Sequence, residues 1–411
     1  MSRTPLLIAV ALLAVAALSV GGAGSVVDSD DAAGALPEQD PVRIENVSNT
    51  TNYLVPDQNV ERRTYVNANV DVGSAVAASA TALDSEHRTR TYEERLTSQP
   101  AGSDARLAVA ERELADLEAR MARLDARQES VFRAYSNGSL SRQQFVRHLV
   151  RLEERATVYS EQLDAFEQLT DQYLDRAPAN VDSRLSRLRA ETVVLPGPVT
   201  ERTADAVLGT SDPFVLYSEG VDETLVLAAV DDGEFHRQAT LRDAYRPDER
   251  NTLSLEGALQ RATELYPWVY SGGQGFEPQI GIASTGLFQV NANHPQGRLV
   301  SYISGSTTDV FHETQTLDPQ QVPVYMTATN ETSSLNLTVT TTTETGPMRV
   351  ELTTPAGTPV NGTVLVNGEP VDTTDADGTL WTVRPSGTFR LTAVGENGSE
   401  VSLDRIRFLR T

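Results

Sequence analysis

The chain has 411 residues, with 57 acidic against 34 basic side chains and a net charge of −23. All of the Lys+Arg total is arginine, and cysteine is absent. That balance argues against binding the backbone of DNA or RNA, which takes a basic surface. It removes disulfides, thiol catalysis and most structural zinc sites.

The same composition suits concentrated salt. The Debye length is already about 3 Å at 1 M ionic strength, so repulsion between carboxylates is screened. Lysine, with its long apolar stem, is the basic residue such a surface sheds.

Met1-Ser2-Arg3-Thr4 is followed by an apolar run from Pro5 to Val20 and then by Gly21-Gly22-Ala23-Gly24. A short basic start, an apolar stretch and small residues read as an export signal, residues 1–24. An uncleaved membrane anchor is the alternative, although a spanning helix takes about 20 apolar residues. Residues 25–58 are polar and carry Pro37, Pro41 and Pro56, which reads as a disordered linker.

Residues 60–190 read as a helical coiled-coil hairpin domain. Leu107, Ala110, Leu114, Leu117, Met121, Leu124, Gln128, Val131 and Tyr135 alternate three and four apart, as do Phe145, Leu149, Leu152, Ala156, Tyr159, Leu163, Phe166, Thr170 and Tyr173. Between the two seams, Asn137-Gly138 suits a helix stop, and Ser141 with Gln144 suits a capping box. The two helices must fold back on each other. A third helix over about 64–97 completes a three-helix bundle, and a short helix follows over 181–190. The turn at Asn137 reads as a free tip able to present a partner surface.

Residues 192–320 read as an α+β domain with an antiparallel sheet. Strands are expected over 213–218, 224–230 and 234–241, with Asp231-Asp232-Gly233 as a hairpin turn. Ser254 caps a helix over 255–265, and strands follow over 287–292, 298–304 and 310–316. Residues 321–345 are threonine-rich and read either as a strand, from Leu335, Leu337 and Val339, or as an O-glycosylated stalk. Residues 346–411 alternate in short stretches between Gly, Pro, Asn and Asp turns, as a small β-sandwich does. The expected fold is therefore multidomain: helical bundle, antiparallel α+β domain, small all-β sandwich.

Two segments resemble known families. Leu253-Ser254-Leu255-Glu256-Gly257-Ala258-Leu259, Phe288-Gln289-Val290 and Gly297 to Gly305 resemble PepSY-type domains, with Ser304 where that family usually has Asp and without its second turn glycine. The resemblance implies binding or protease modulation. Thr358 to Val364, Val366-Asn367-Gly368-Glu369-Pro370 and Thr374 to Leu380 are similar to carboxypeptidase-regulatory and bacterial Ig-like sandwiches, which implies an architecture and no activity. The whole layout resembles secreted proteins of haloarchaea.

Catalytic constellations are weak. His312-Glu313 lacks the second histidine of a zincin helix, position 316 being Thr. Ser306, His294 or His312, and Asp309 make a triad only on paper. Asp375-Ala376-Asp377-Gly378 lacks the closing Glu of a Ca²⁺ loop and reads as a turn. No catalytic, cofactor or metal residue is assigned. Tyr266, Trp268 and Tyr270, beside Gly272-Gly273, read as core or as an aromatic ledge for a peptide or glycan.

Seven Asn-x-Ser/Thr sequons, at Asn46, Asn49, Asn137, Asn330, Asn336, Asn361 and Asn397, are candidate glycan acceptors. Chance would give roughly three in this chain, and such sites belong to exposed loops of exported proteins. The expectation is a non-enzymatic secreted or membrane-tethered envelope protein. Its partner would be an envelope protein, a peptide or a glycan. A hydrolase is the weaker alternative. Contact with the membrane would run only through a retained N-terminal segment.

Overall fold

An eight-stranded antiparallel sheet organises the chain. The computed structural model describes residues 44–56, 60–178, 180–193, 197–246, 249–271, 279–283 and 286–407. The export signal of residues 1–24 lies outside them.

The sheet contains β3 (Arg62–Ala68), β4 (Phe214–Val221), β5 (Thr224–Asp231), β6 (Glu234–Leu241), β7 (Gln279–Ala283), β8 (Leu287–His294), β9 (Gly297–Ser304) and β10 (Val310–Leu317). Their order is β3-β4-β5-β6-β10-β9-β8-β7. Asp232 and Gly233 both have positive φ, which gives the tight β5–β6 hairpin its hand.

Helices cover one face. These are α1 (Val72–Thr97), α2 (Asp104–Ser136), α3 (Arg142–Tyr173), α4 (Val181–Val193) and α5 (Pro198–Leu208). Leu225, Leu227 and Ala229 of β5 join the helical core, while Val226 and Ala228 face the other side. Every position of both heptad seams is buried except Leu107 and Tyr173, which are half-buried. The seams close α2 on α3, and Tyr92 of α1 stacks on Phe166 at 5.5 Å. Ser141 and Gln144 form the expected capping box.

On the opposite face, one half of the sheet carries α6 (Leu255–Leu265) and α7 (Pro267–Ser271). The other half carries a sandwich of two four-stranded sheets. One has the order β11-β12-β13-β16, from β11 (Met326–Glu331), β12 (Asn336–Thr341), β13 (Pro347–Thr353) and β16 (Thr379–Val383). The second has the order β15-β14-β17-β18, from β14 (Gly362–Val366), β15 (Glu369–Thr373), β17 (Phe389–Gly395) and β18 (Glu400–Ile406). The expected fold class is thus present: helical bundle, antiparallel sheet domain and all-β sandwich.

Four expectations need correcting. Residues 44–56, placed in a linker, form β1 (Ile44–Glu45) paired with β2 (Tyr53–Leu54), and most of this strap is buried. Residues 62–68 are not the start of a helix. Thr64-Tyr65-Val66 has the β-branched and aromatic character of a strand, and α1 starts only after Asp71, whose carboxylate accepts the Ser74 N–H at 2.7 Å.

The sandwich begins at Met326 rather than at residue 346. Thr341, Thr342 and Thr343 are buried, so the alternating strand reading holds there and the stalk reading fails. The turn at Asn137 is not a free tip. Tyr135 is fully buried, stacks on Phe145 at 3.9 Å and bonds to the Ser218 carbonyl of β4 at 2.9 Å. A Cβ at Gly220 would come within 2.9 Å of the Tyr135 ring and 2.8 Å of Ser136 Oγ. Glycine there lets the tip press against the sheet.

Candidate functional site, the buried joint between modules

Burial on both faces leaves the polar residues of the central strands with no water to bond. They must then find each other. On β6, Arg237 points away from the helices toward the strap and the sandwich. It donates to Glu313 Oε1 of β10 at 3.2 Å, to the Leu54 carbonyl at 2.5 Å and to Thr345 Oγ1 at 2.9 Å. Its guanidinium lies 5.0 Å from the centre of the Tyr53 ring.

Glu313 accepts from Tyr266 at 2.7 Å, the Leu54 N–H at 3.0 Å and Gln315 at 3.0 Å. One pair therefore binds the strap, α6–α7 and the edge of the sandwich. Burial pushes the Glu313 carboxyl upward, and Arg237 pulls it back.

A second group sits under the sandwich. Tyr217 donates to Glu219 at 2.7 Å, and Tyr65 donates to the Val383 carbonyl at 2.6 Å. Arg384, fully buried, donates to the Pro385 carbonyl at 3.2 Å and faces Glu344 at 3.7 Å. Burial raises Glu219 and lowers the Arg384 guanidinium. The Tyr65 and Tyr217 phenols are raised well above their ordinary value by the same burial, so they stay protonated donors.

The strap adds its own bonds. Thr50 donates to Gln296 at 2.6 Å, Asn52 donates to the Leu265 carbonyl at 2.7 Å, and Thr51 lies 3.1 Å from His294. At the hairpin tip, Arg62 donates to the carbonyls of Tyr135 and Leu140 at 3.0 and 2.7 Å. Arg142 pairs with Glu369 of the sandwich. Chemically this layer orients and locks. Arg237, Glu313, Glu219 and Arg384 are sealed from solvent, whereas the Arg142–Glu369 pair lies at the exposed rim.

The proposed ledge is only partly a surface. Tyr266 is fully buried with its hydroxyl on Glu313, so it is core. Trp268 and Tyr270 are half-buried, and Trp268 meets His294 edge-on at 5.4 Å. Gly272 and Gly273 lie outside the described residues.

The paper triad is not brought together. Ser306 bonds to Ser304 and to the Arg246 carbonyl, His312 to Thr240 at 2.8 Å, and His294 to Thr51. Among the described residues no three His, Asp or Glu side chains gather as a metal site would require. Asn46, Asn49, Asn137, Asn330, Asn361 and Asn397 are exposed, and Asn336 is half-buried in β12.

Sequence reasoning missed Arg237, Glu219, Glu313 and Arg384. One signal was available. The run Leu225-Val226-Leu227-Ala228-Ala229-Val230 has no polar alternation, the mark of a strand covered on both faces. Polar residues on its neighbours then had to be internal.

The architecture defines a multidomain protein with a helical domain, a sheet domain and a fibronectin-like sandwich. Residues 2–212 match a family model described as a domain of unknown function (DUF7096), and the chain belongs to that family. Residues 216–323 match a family of unknown function (DUF7094), and residues 326–402 match an archaeal fibronectin-III type-like domain. No curated protein and no solved structure matches the chain. The boundaries fall beside β4 and at β11, yet β3, from the first match, is a strand of the second one's sheet.

Proposed function

We propose that this chain is a non-enzymatic protein of the archaeal cell envelope, exported or tethered through its N-terminal segment. It binds an envelope protein, a peptide or a glycan. The observation that supports this reading is the use made of the buried ionisable groups. Arg237, Glu313, Glu219 and Arg384 hold the strap, Tyr266 beside α6–α7 and the fibronectin-III type-like sandwich against one sheet, while Arg62 and Tyr135 bond the helical hairpin to the same sheet. Modules fixed in this way present surfaces. No helix among the described residues is long and apolar enough to cross a membrane, so tethering would fall to the N-terminal segment.

Cross-linking in native envelopes at high salt tests this. The reagent must couple carboxylates, because the chain has no lysine side chain. Recovery of one partner in stoichiometric amount supports the reading. A full-length, salt-folded chain that captures no envelope protein, peptide or glycan overturns it.

A second reading is protease modulation. Helix α6 followed by the β8–β9 hairpin is the arrangement that the PepSY resemblance implies. Inhibition assays of the full chain against a co-secreted protease decide between the two.

A further inference from the structure

Four of the seven sequons lie in the sandwich, and its topology gathers them at one end. Asn330 pairs with Leu337 and Glu331 with Asn336, so both of these sequons flank the β11–β12 turn. Asn361 precedes Gly362, which pairs with Gly395 at the end of β17. Asn397 sits in the β17–β18 turn. A Cβ built at Gly395 would stand 3.6 Å from Val360 and 3.7 Å from Leu335. The turn bearing Asn397 therefore abuts the other two segments.

The opposite end of the same strands carries Thr345, Arg384, Ser386 and Glu369, all bonded into or beside the joint. The sandwich thus has a docked pole and a free pole. Sequons scattered by chance over its turns would populate both.

Side-chain states separate these acceptors. Asn361 is exposed, with no side-chain hydrogen bond among the described residues. Asn397 is exposed, and its carbonyl oxygen accepts the Ser399 N–H at 2.9 Å, which leaves the amide nitrogen outward. Asn330 is different, because its amide nitrogen donates to the Ser402 carbonyl at 2.7 Å. Asn336 is half-buried within the ladder. Outside the sandwich, the Asn49 sequon ends in Thr51, a buried hydroxyl engaged with His294.

We propose that Asn361 and Asn397 carry N-linked glycans and make the free pole of the sandwich a sugar-covered end, while Asn49 and Asn336 stay bare. The donor is a lipid-phosphate-linked oligosaccharide handled by an oligosaccharyltransferase. The Asn Nδ2 forms a bond to the anomeric carbon, and that carbon's bond to the phosphate oxygen breaks. The lipid phosphate leaves with the electron pair, and the Nδ2 proton passes to a base of the transferase. This inference rests on the export reading above. Sugars at this pole would leave the helical domain and the sheet side for protein contacts.

The test is mass spectrometry of the full chain purified from fractionated native cells. Cleavage after arginine, with the Arg384-Pro385 bond resisting, yields residues 350–390 with the Asn361 sequon alone and 391–405 with the Asn397 sequon alone. Saccharide mass increments on both peptides, lost in N361Q and N397Q, are expected. Unmodified peptides from exported protein overturn the inference while leaving export intact, and so does equal occupancy of Asn49. Recovery of the chain solely from the cytosol overturns the export reading instead.

Discussion

Arg237 and Glu313 form an ion pair at 3.2 Å with side chains only 3 % and 0 % exposed, and both also bond the backbone of Leu54. Desolvating two charges is costly, and such a pair adds little net stability over a well-packed apolar pair. Its effect is to specify the joint, since only the correctly seated strap satisfies both partners. Removing one partner strands the other. Arg237→Met is expected to destabilise by about 3–5 kcal/mol, and Arg237→Met with Glu313→Leu by less than the sum of the two single losses, since neither charge is then stranded. Denaturant melts at constant high salt give the cycle. Additive losses would mean that the two residues act independently.

The strap should be detachable in a graded way. Thr50, Thr51, Asn52, Tyr53 and Leu54 are all buried against the sheet domain. A chain starting at residue 44 keeps every one of these bonds. A chain starting at residue 57 leaves the Glu313 and Arg237 contacts to Leu54 unmade, at about 1–3 kcal/mol for each buried group left unsatisfied. Limited proteolysis should therefore spare the first chain and cut the second within the sheet domain. Equal resistance would show that the strap is decorative.

Glu153 on α3 gives a pH signature. It is buried beside Gln128, Thr200, Gln238 and Thr240, around a cavity of about 10 Å³, close to the room one water takes. Burial pushes its carboxyl up to about 7, with Glu201, Glu154 and Asp205 adding in the same direction and Thr200 opposing. The folded state therefore holds a proton that the unfolded state releases near 4.5. The stabilising effect of that proton is complete below pH 4.5 and is lost as pH rises toward 7.

Glu153→Gln should leave stability unchanged near pH 4.5 and raise it at pH 8 by up to about 3 kcal/mol. His312 and His294 act with the opposite sign. Burial pushes both down to about 4, so their contribution is present above pH 6.5 and lost as pH falls toward 4. Urea melts of the variant and the parent across this range read both slopes.

The helical hairpin was legible because a 3.5-residue period and a capping box are local signals. Leu114, Leu163 and Phe166 are buried where the seams placed them, and Ser141 caps α3 as its spacing with Gln144 required. The β5–β6 hairpin was legible for the same reason, through Asp232-Gly233. The joint was not. Arg237 alternates with Phe235 and Ala239, and Glu313 with Phe311 and Leu317, so parity turns both toward a covered face, but the groups that cover and bond them come from residues far away in the chain. Tyr65 failed likewise, since its strand pairs with β4 some 150 residues later, a partner no local pattern announces.

Salt should separate the surface from the joint. The net charge of −23 lies mostly on exposed carboxylates, and exposed pairs such as Arg88–Asp84 and Arg90–Glu86 contribute little. Lowering salt from about 4 M to about 0.1 M lengthens the Debye length to about 10 Å and restores repulsion among those carboxylates. Global stability should fall steeply over that range. The Arg237–Glu313 pair is sealed from ions, so its screening hardly changes. The coupling energy from the Arg237→Met and Glu313→Leu cycle should therefore stay within about 0.5 kcal/mol across the salt concentrations at which all four proteins fold. A coupling that shrinks in parallel with rising salt would mean that ions reach the pair, and that the strap opens in the native state.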